Sequence, residues 1–412
     1  MFSVNRDFAP PFKLIAPYFI IGVTLYLVST LFAFSLDISA SGYMDPSVIA
    51  WVHLFLLGFV MMVILGAMAQ LIPVVLENGH FAVDLYYIIW PLLLAGALLM
   101  ACGFIYSAVL LPFGGLTVLL AMLIFLLDTL MTIKKVKAKL NFAMTSIIIA
   151  NVFLLSGIIL GIILALGYAG IISVNLNELV KGHLYLLVGG YVIITIYGLS
   201  MVLLPMFGLS HHFSSRPIKI ALFLMTAAVV CVTTASILEL SLLSYIGYLL
   251  AAVSLLFYLY QNYILYKTRA RKEHDIYIKS LYVSNASLIA SLVLGVVYIF
   301  SADETLLFAI GWLTFTGFFG FIITAHLYKI VPFLIWFERF SPLVGKQKVP
   351  MLADMLPLKG ANAQLYFSAI GVFLATYGLL FASNDLFRSG ISCLCVGNLF
   401  LLQNIIYIIR FK

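Results

Sequence analysis

HLFLLGFVMMVILGAMAQLIP (residues 53–73), HLYLLVGGYVIITIYGLSMVLLP (residues 183–205) and WLTFTGFFGFIITAHLYKIVP (residues 312–332) read as three copies of one helix. Counted back from its final proline, each copy has a glycine fifteen residues upstream, Gly58, Gly190 and Gly317, and a second small residue seven upstream, Gly66, Gly198 and Ala325. The prolines Pro73, Pro205 and Pro332 stand 132 and 127 residues apart. A long internal period of this kind sets the architecture before any local pattern does. The chain is therefore read as a threefold repeat.

Working outward from these stretches, the 412 residues are 64% hydrophobic and only 9% charged, with a mean hydropathy of +1.18. That leaves too little polar surface to coat a water-soluble globule. Lipid offers the backbone no hydrogen-bond partner, so only helices or a closed barrel can cross it, and uninterrupted apolar runs of about twenty residues are the helical signature. Such runs fall near 14–36, 48–76, 85–107, 112–133, 143–168, 180–206, 218–238, 242–266, 278–300, 305–336, 364–383 and 386–409. The first exceeds a signal-peptide core and lacks a small-x-small cleavage site, so it is expected to stay as a span. The fold class expected is an all-α polytopic membrane protein of about twelve spans, in three four-helix repeats with a pseudo-threefold arrangement. Residues 1–412 form a single integral domain, with repeats at roughly 1–140, 141–273 and 274–412.

Basic residues close each set of four: Lys134, Lys135, Lys137 and Lys139, then Lys267, Arg269, Arg271 and Lys272, then Arg410 and Lys412. With both termini in the cytoplasm, only Lys181 and Arg388 of the 22 Lys and Arg residues fall outside, a strong positive-inside signal for a bacterial-type inner membrane. The net charge of +7 then follows from orientation in a bilayer, and no nucleic-acid partner is implied. The longest loop, from about 338 to 364, is basic and proline-containing, and is expected to lie solvated beside anionic lipid. Cys102, Cys231, Cys393 and Cys395 all fall within apolar runs, where they are expected to be small buried hydrophobes.

Imidazole is the usual protein ligand for heme iron and copper, and an ionisable group inside a span is a functional candidate. His53 and His183 open the second and sixth spans near the outer surface, and these two residues are the candidate cofactor and metal ligands, for heme and/or copper. The alternative for each is an interfacial histidine hydrogen-bonded to a neighbouring helix. His326, Lys329 and Thr324, on the inner half of the tenth span, form a possible polar pathway, although Lys329 is expected to snorkel to the headgroups. Asp128 is expected to pair with the lysines that follow it. His80, His211, His212 and His274 are expected as solvated loop residues. Met61, Met62 and Met68 read as core filler. No phosphate-binding loop, dinucleotide fingerprint, nucleophile elbow or zinc-protease helix is present, which leaves hydrolytic and kinase chemistry without support.

Twelve spans in three sets of four, with His-x4/5-Gly opening the second and sixth and a proline about twenty residues on, resemble subunit I of the heme-copper oxidase superfamily. The stretch GHLYLLVGGYVIITIYGLSMVLLP (residues 182–205) carries the resemblance most clearly, being similar to the sixth helix of the oxidase and nitric-oxide reductase branch. The resemblance implies that His53 corresponds to the second-helix ligand of a low-spin heme and His183 to the sixth-helix ligand of copper. It also implies adjacent histidines at the outer end of the seventh span and axial histidines on the tenth. This chain has none around Leu238–Leu243, and offers Ile310, Gly311 and Trp312 in the latter place. The expectation is a divergent member, similar in character to NnrS-like membrane proteins, that lacks the full ligand set. It would bind heme and/or copper and serve respiratory electron transfer or copper or nitric-oxide handling, with the bilayer and a redox partner or other respiratory subunits as partners. Any enzymatic activity would be oxidoreduction of the heme-copper oxidase type, short of a complete terminal oxidase. Two other classes stay open: an ion or small-molecule transporter using the repeat interface, and a non-catalytic assembly subunit.

Overall fold

The computed structural model describes residues 8–38, 42, 44–136, 141–210, 214–270 and 272–412. Among these residues, twelve helices are long and apolar enough to cross a membrane: α1 Phe12–Ser35, α2 Pro46–Leu76, α3 Val83–Ile105, α4 Leu110–Lys135, α5 Phe142–Tyr168, α6 Leu176–Gly208, α7 Arg216–Leu238, α8 Ser241–Thr268, α9 Ile276–Ser301, α10 Thr305–Leu343, α11 Leu358–Leu380 and α12 Asn384–Ile409. Among the described residues the only β pairing is an isolated bridge between Ser210 and Arg269. The chain is a multi-pass helical membrane protein.

Several helices start where a short polar side chain can take an orphan amide. Asp45 accepts from the Ser47 amide at 2.8 Å, with Pro46 preset for the first turn of α2. Asn141 does the same for α5 at 2.9 Å, Asn175 for α6 at 3.3 Å and Asp275 for α9 at 3.1 Å. The start of α11 lies six residues before the expected span. Its opening Leu358–Gln364 stretch is polar in sequence, yet Gln364 is buried and Gly360 sits against the Asn404 side chain of α12. Polar contact with a partner helix hid that start. α10 runs past Pro332 to Leu343, with a π-helical turn at Trp336–Phe340, and Trp336 Nε1 donates to the Pro350 carbonyl at 2.7 Å, so the long basic loop is pinned at its middle.

Each marker helix carries a π-helical segment: Leu56–Met61 in α2, Tyr185–Ile193 in α6 and Leu313–Phe319 in α10. The marker glycines Gly58, Gly190 and Gly317 all fall inside them. Such wide turns mark sites under packing or functional constraint, and here the constraint is visible. A Cβ on Gly58 would meet Leu25 of α1 at 3.0 Å, one on Gly190 would meet Phe153 of α5 at 2.7 Å, and one on Gly317 would meet Ser287 of α9 at 2.5 Å. The second glycines repeat the pattern, Gly66 against Tyr18 of α1 at 2.6 Å and Gly198 against Ser146 of α5 at 2.7 Å. In every copy the marker helix packs on the span before it. Close helix approach therefore accounts for these glycines, as the small residues of membrane helix pairs generally do.

The described chain divides into two compact units. The first holds Gln70–Leu99 and Ser107–Glu273 with the described residues before Pro10; the second holds Pro10–Ala69, Met100–Tyr106 and His274–Lys412. In the first, buried polar groups tie helices together: the Tyr197 hydroxyl of α6 lies 3.0 Å from Ser254 Oγ of α8, which donates to the Ala221 carbonyl of α7 at 2.6 Å. In the second, Asn398 of α12 donates to Thr30 of α1 at 2.8 Å, and Asn404 donates to the Tyr328 hydroxyl of α10 at 2.9 Å. Cys395 is buried as expected, but Cys102 is exposed. It faces outward from α3, where a small apolar side chain meets lipid as readily as core.

Several helices end on a non-glycine residue in the left-handed region, among them Ala302 after α9 at φ +52°. Its amide closes on the Tyr298 carbonyl at 2.8 Å. The Cβ costs about 1 kcal/mol in that conformation. Ala302→Gly is expected to raise the thermal unfolding midpoint of detergent-solubilised protein, with a net gain below about 1 kcal/mol once the looser unfolded chain is counted.

Candidate functional site

In the second unit, His53 lies in the α-helical part of α2 just before its π segment. Its Nδ1 is 2.9 Å from the Ile49 carbonyl one turn back, and its ring rests 5.0 Å from that of Phe104 on α3. In the neutral imidazole this contact requires the proton on Nδ1, which donates, and places the lone pair on Nε2. Two residues earlier, Trp51 points the other way, because side chains two apart on a helix are separated by about 200°. Its indole stacks on Trp312 of α10 at 5.2 Å and 21°.

His183, in the first unit, shows the same ring chemistry through a different element. Its Nδ1 is 2.9 Å from the Gly157 carbonyl of α5, and a Cβ on Gly161 would fall 2.6 Å from the imidazole. The ring occupies a notch made by Gly157 and Gly161, a small-x3-small pair of the kind that lets membrane helices approach. That GIILG signal is legible in the sequence of the fifth span, and it is what positions the imidazole. Both histidines thus have one ring nitrogen fixed by a backbone carbonyl, the arrangement usual in metal-bound histidines. Among the described residues, no group of three or more His, Cys, Asp or Glu side chains converges on a common point. The donor set fits ligation from one side by a single imidazole. It does not fit a closed multi-ligand metal centre.

At the far end of the first unit the structure corrects two expectations. His80 is not a solvated loop residue: its side chain is 1% exposed and its Nδ1 lies 2.6 Å from Asp128 Oδ2, itself 0% exposed. Asp128 therefore pairs with histidine in place of the lysines that follow it. Its other oxygen accepts from the Ala82 amide at 2.9 Å, while the Phe81 amide donates to Thr132 Oγ1 at 2.9 Å, so the α2–α3 connection is clasped onto α4 by side chains one turn apart. Of the lysines, Lys135 sits over the Phe81 ring at 5.0 Å, and Lys137 and Lys139 lie outside the described residues, as do His211 and His212. His274 is exposed as expected, its Nε2 3.1 Å from the Tyr282 hydroxyl.

The polar residues of α10 separate into two groups. Thr324 is buried and its hydroxyl donates to its own helix, to the Gly320 carbonyl at 2.7 Å. His326 and Lys329 converge instead on the start of α9. His326 Nδ1 is 2.7 Å from the Ile322 carbonyl and its Nε2 is 3.4 Å from the Tyr277 hydroxyl. Lys329 Nζ reaches Asp275 Oδ2 at 2.7 Å and lies over the Tyr277 ring at 5.6 Å. Asp275 has two roles, since its other oxygen caps α9. Sequence alone did not single out Tyr277 or Asp275, because both belong to the preceding span and meet α10 only through the antiparallel pairing.

These features define a polytopic helical membrane protein of the oxidase-like fold. The chain is similar to a heme-copper terminal oxidase whose dimer was solved by cryo-electron microscopy, with a TM-score of 0.63 over 97% of this chain and 84% of the other, at 12% sequence identity. At that identity the similarity carries the fold and no finer assignment within or beside the superfamily. No protein-family profile and no curated protein sequence matches the chain.

Proposed function

We propose that the chain is a heme-copper-oxidase-like protein of a bacterial-type inner membrane, with cytoplasmic termini, that is not a complete terminal oxidase. It binds copper, or a heme from one side, through His53 and His183 taken singly, and serves respiratory electron transfer or copper or nitric-oxide handling with a redox partner. The observation that supports the reading is the hydrogen bond from Nδ1 of each histidine to a backbone carbonyl, at 2.9 Å in each case, which fixes the tautomer whose basic lone pair is on Nε2. When bound, the metal would supply a redox centre or a site for a diatomic ligand. The protein's own part is to hold each imidazole in one tautomer and one orientation in an apolar setting.

Metal analysis of protein produced with copper and heme precursors in excess tests this. Metal near one equivalent per occupied site is expected, falling by about one equivalent in His183→Ala and again in His53→Ala. Full metal content in both variants, or none in the parent protein, removes the reading.

One observation favours a second reading, a proton or ion pathway: Asp275, Lys329, Tyr277 and His326 lie in succession at one end of the α9–α10 pair. Liposomes carrying the protein would then show ion flux that His326→Ala abolishes. Flux equal to that of protein-free liposomes sinks this reading.

A further inference from the structure

The oxidase-like fold implies a heme gripped between the second and tenth spans by one imidazole from each. α10 and the part of α2 up to Ala69, which carries Trp51 and His53, belong to the second unit here, so the space between them is defined within that unit. It is filled. Trp51 of α2 and Trp312 of α10 stack with ring centroids 5.2 Å apart, Trp51 being 2% exposed and Trp312 fully buried. Phe315 lies 6.4 Å from the Trp51 ring, and Phe387 of α12 lies 5.3 Å from that of Trp312. The Trp312 indole is also tethered, Nε1 donating to the Val372 carbonyl of α11 at 3.2 Å. Swinging it aside would leave that donor unpaired inside a buried core, a desolvation penalty that adds to the packing lost.

A tetrapyrrole coordinated on both faces needs a flat slot between two imidazoles, with about 3.5–4 Å of van der Waals clearance above and below its plane. Two stacked indoles leave no such slot, and α10 offers Trp312 where an axial imidazole would be required. The imidazole of α2 is turned away as well, since His53 faces Phe104 of α3, on the opposite side of its helix from Trp51. We infer that the Trp51–Trp312 stack stands in place of the six-coordinate heme of this fold, so that the α2–α10 interior is a permanent aromatic core with no low-spin heme. The inference rests on the fold similarity and on packing within the second unit. It holds whether or not His53 or His183 takes a metal.

Two spectra of the purified full-length protein test it, after production with copper and heme precursors in excess. Low-temperature electron paramagnetic resonance should show no low-spin ferric heme signal, including in preparations that contain copper or high-spin heme. Far-ultraviolet circular dichroism should show the exciton couplet of two coupled indoles, read as the same paired bands lost from the parent spectrum in Trp51→Phe and in Trp312→Phe alike. A low-spin ferric signal approaching one per chain overturns the inference while leaving metal binding by His53 intact. So does the absence of coupled indole bands in the parent protein. A preparation free of all iron and copper, with the indole bands present, meets the expectation and sinks only the metal-binding reading proposed above.

Discussion

Replacing His80 by alanine is expected to destabilise the first unit by about 3 kcal/mol, the upper end of the cost of leaving a buried polar group without its hydrogen-bond partner. The size follows from what the substitution leaves behind. Asp128 is wholly buried in α4, and in the native arrangement His80 faces one carboxylate oxygen at 2.6 Å while the Ala82 amide faces the other at 2.9 Å. Without the imidazole, one buried carboxylate oxygen loses its hydrogen-bond partner, and its desolvation goes uncompensated. The contrast that makes the test specific is a double substitution. His80→Leu with Asp128→Leu removes both polar side chains and is expected to recover part of the loss, because two apolar side chains need no partner while the Ala82 amide is left without its acceptor. Thermal unfolding in detergent reads both. A double variant as unstable as His80→Ala would mean that the clasp works by shape alone.

This dyad also shows what can and cannot be read from a membrane sequence. The twelve spans were legible because a bilayer imposes one long apolar window per crossing, and the windows at 143–168 and 386–409 fall within two residues of α5 and α12. The three marker helices were legible because their glycines answer a packing need that recurs in each copy. His80 was not, since a histidine following Asn78 and Gly79 in a short connection looks like any solvated turn residue, and its partner lies 48 residues further on. The contact of Lys329 was hidden for the same reason: a lysine near the end of a span usually reaches for headgroups, and nothing local announces that Asp275 waits 54 residues earlier at the start of α9. Trp312 could be seen in place of a histidine, but its stacking on Trp51 depends on which face of α2 meets α10. In each case the missing information was a pairing between spans. Hydropathy, which is a property of one span at a time, does not contain it.

Gly390→Ala is expected to cost about 2–3 kcal/mol, whereas Gly295→Ala is expected to stabilise by up to about 1 kcal/mol, although both place a methyl group within a transmembrane helix. Helices in lipid gain little from burying apolar surface against each other, since acyl chains are equally apolar; what holds them is close contact. α11 and α12 make that contact backbone to backbone. A Cβ on Gly390 would sit 2.3 Å from the Ala375 amide nitrogen and 2.7 Å from the Gly371 carbonyl oxygen, and one on Gly371 would sit 2.5 Å from the Leu394 nitrogen. No side chain can rotate away from such a clash, so the helices must part, and dispersion is lost along the seam that Gly378 and Gly397 also line. A Cβ on Gly295 of α9 would have nothing within 4 Å among the described residues, so only the higher helix propensity of alanine is felt there. Opposite signs in the two unfolding midpoints are the expected result. Equal and favourable shifts would show that the α11–α12 seam is looser than its glycines imply, and that helix propensity alone governs both sites.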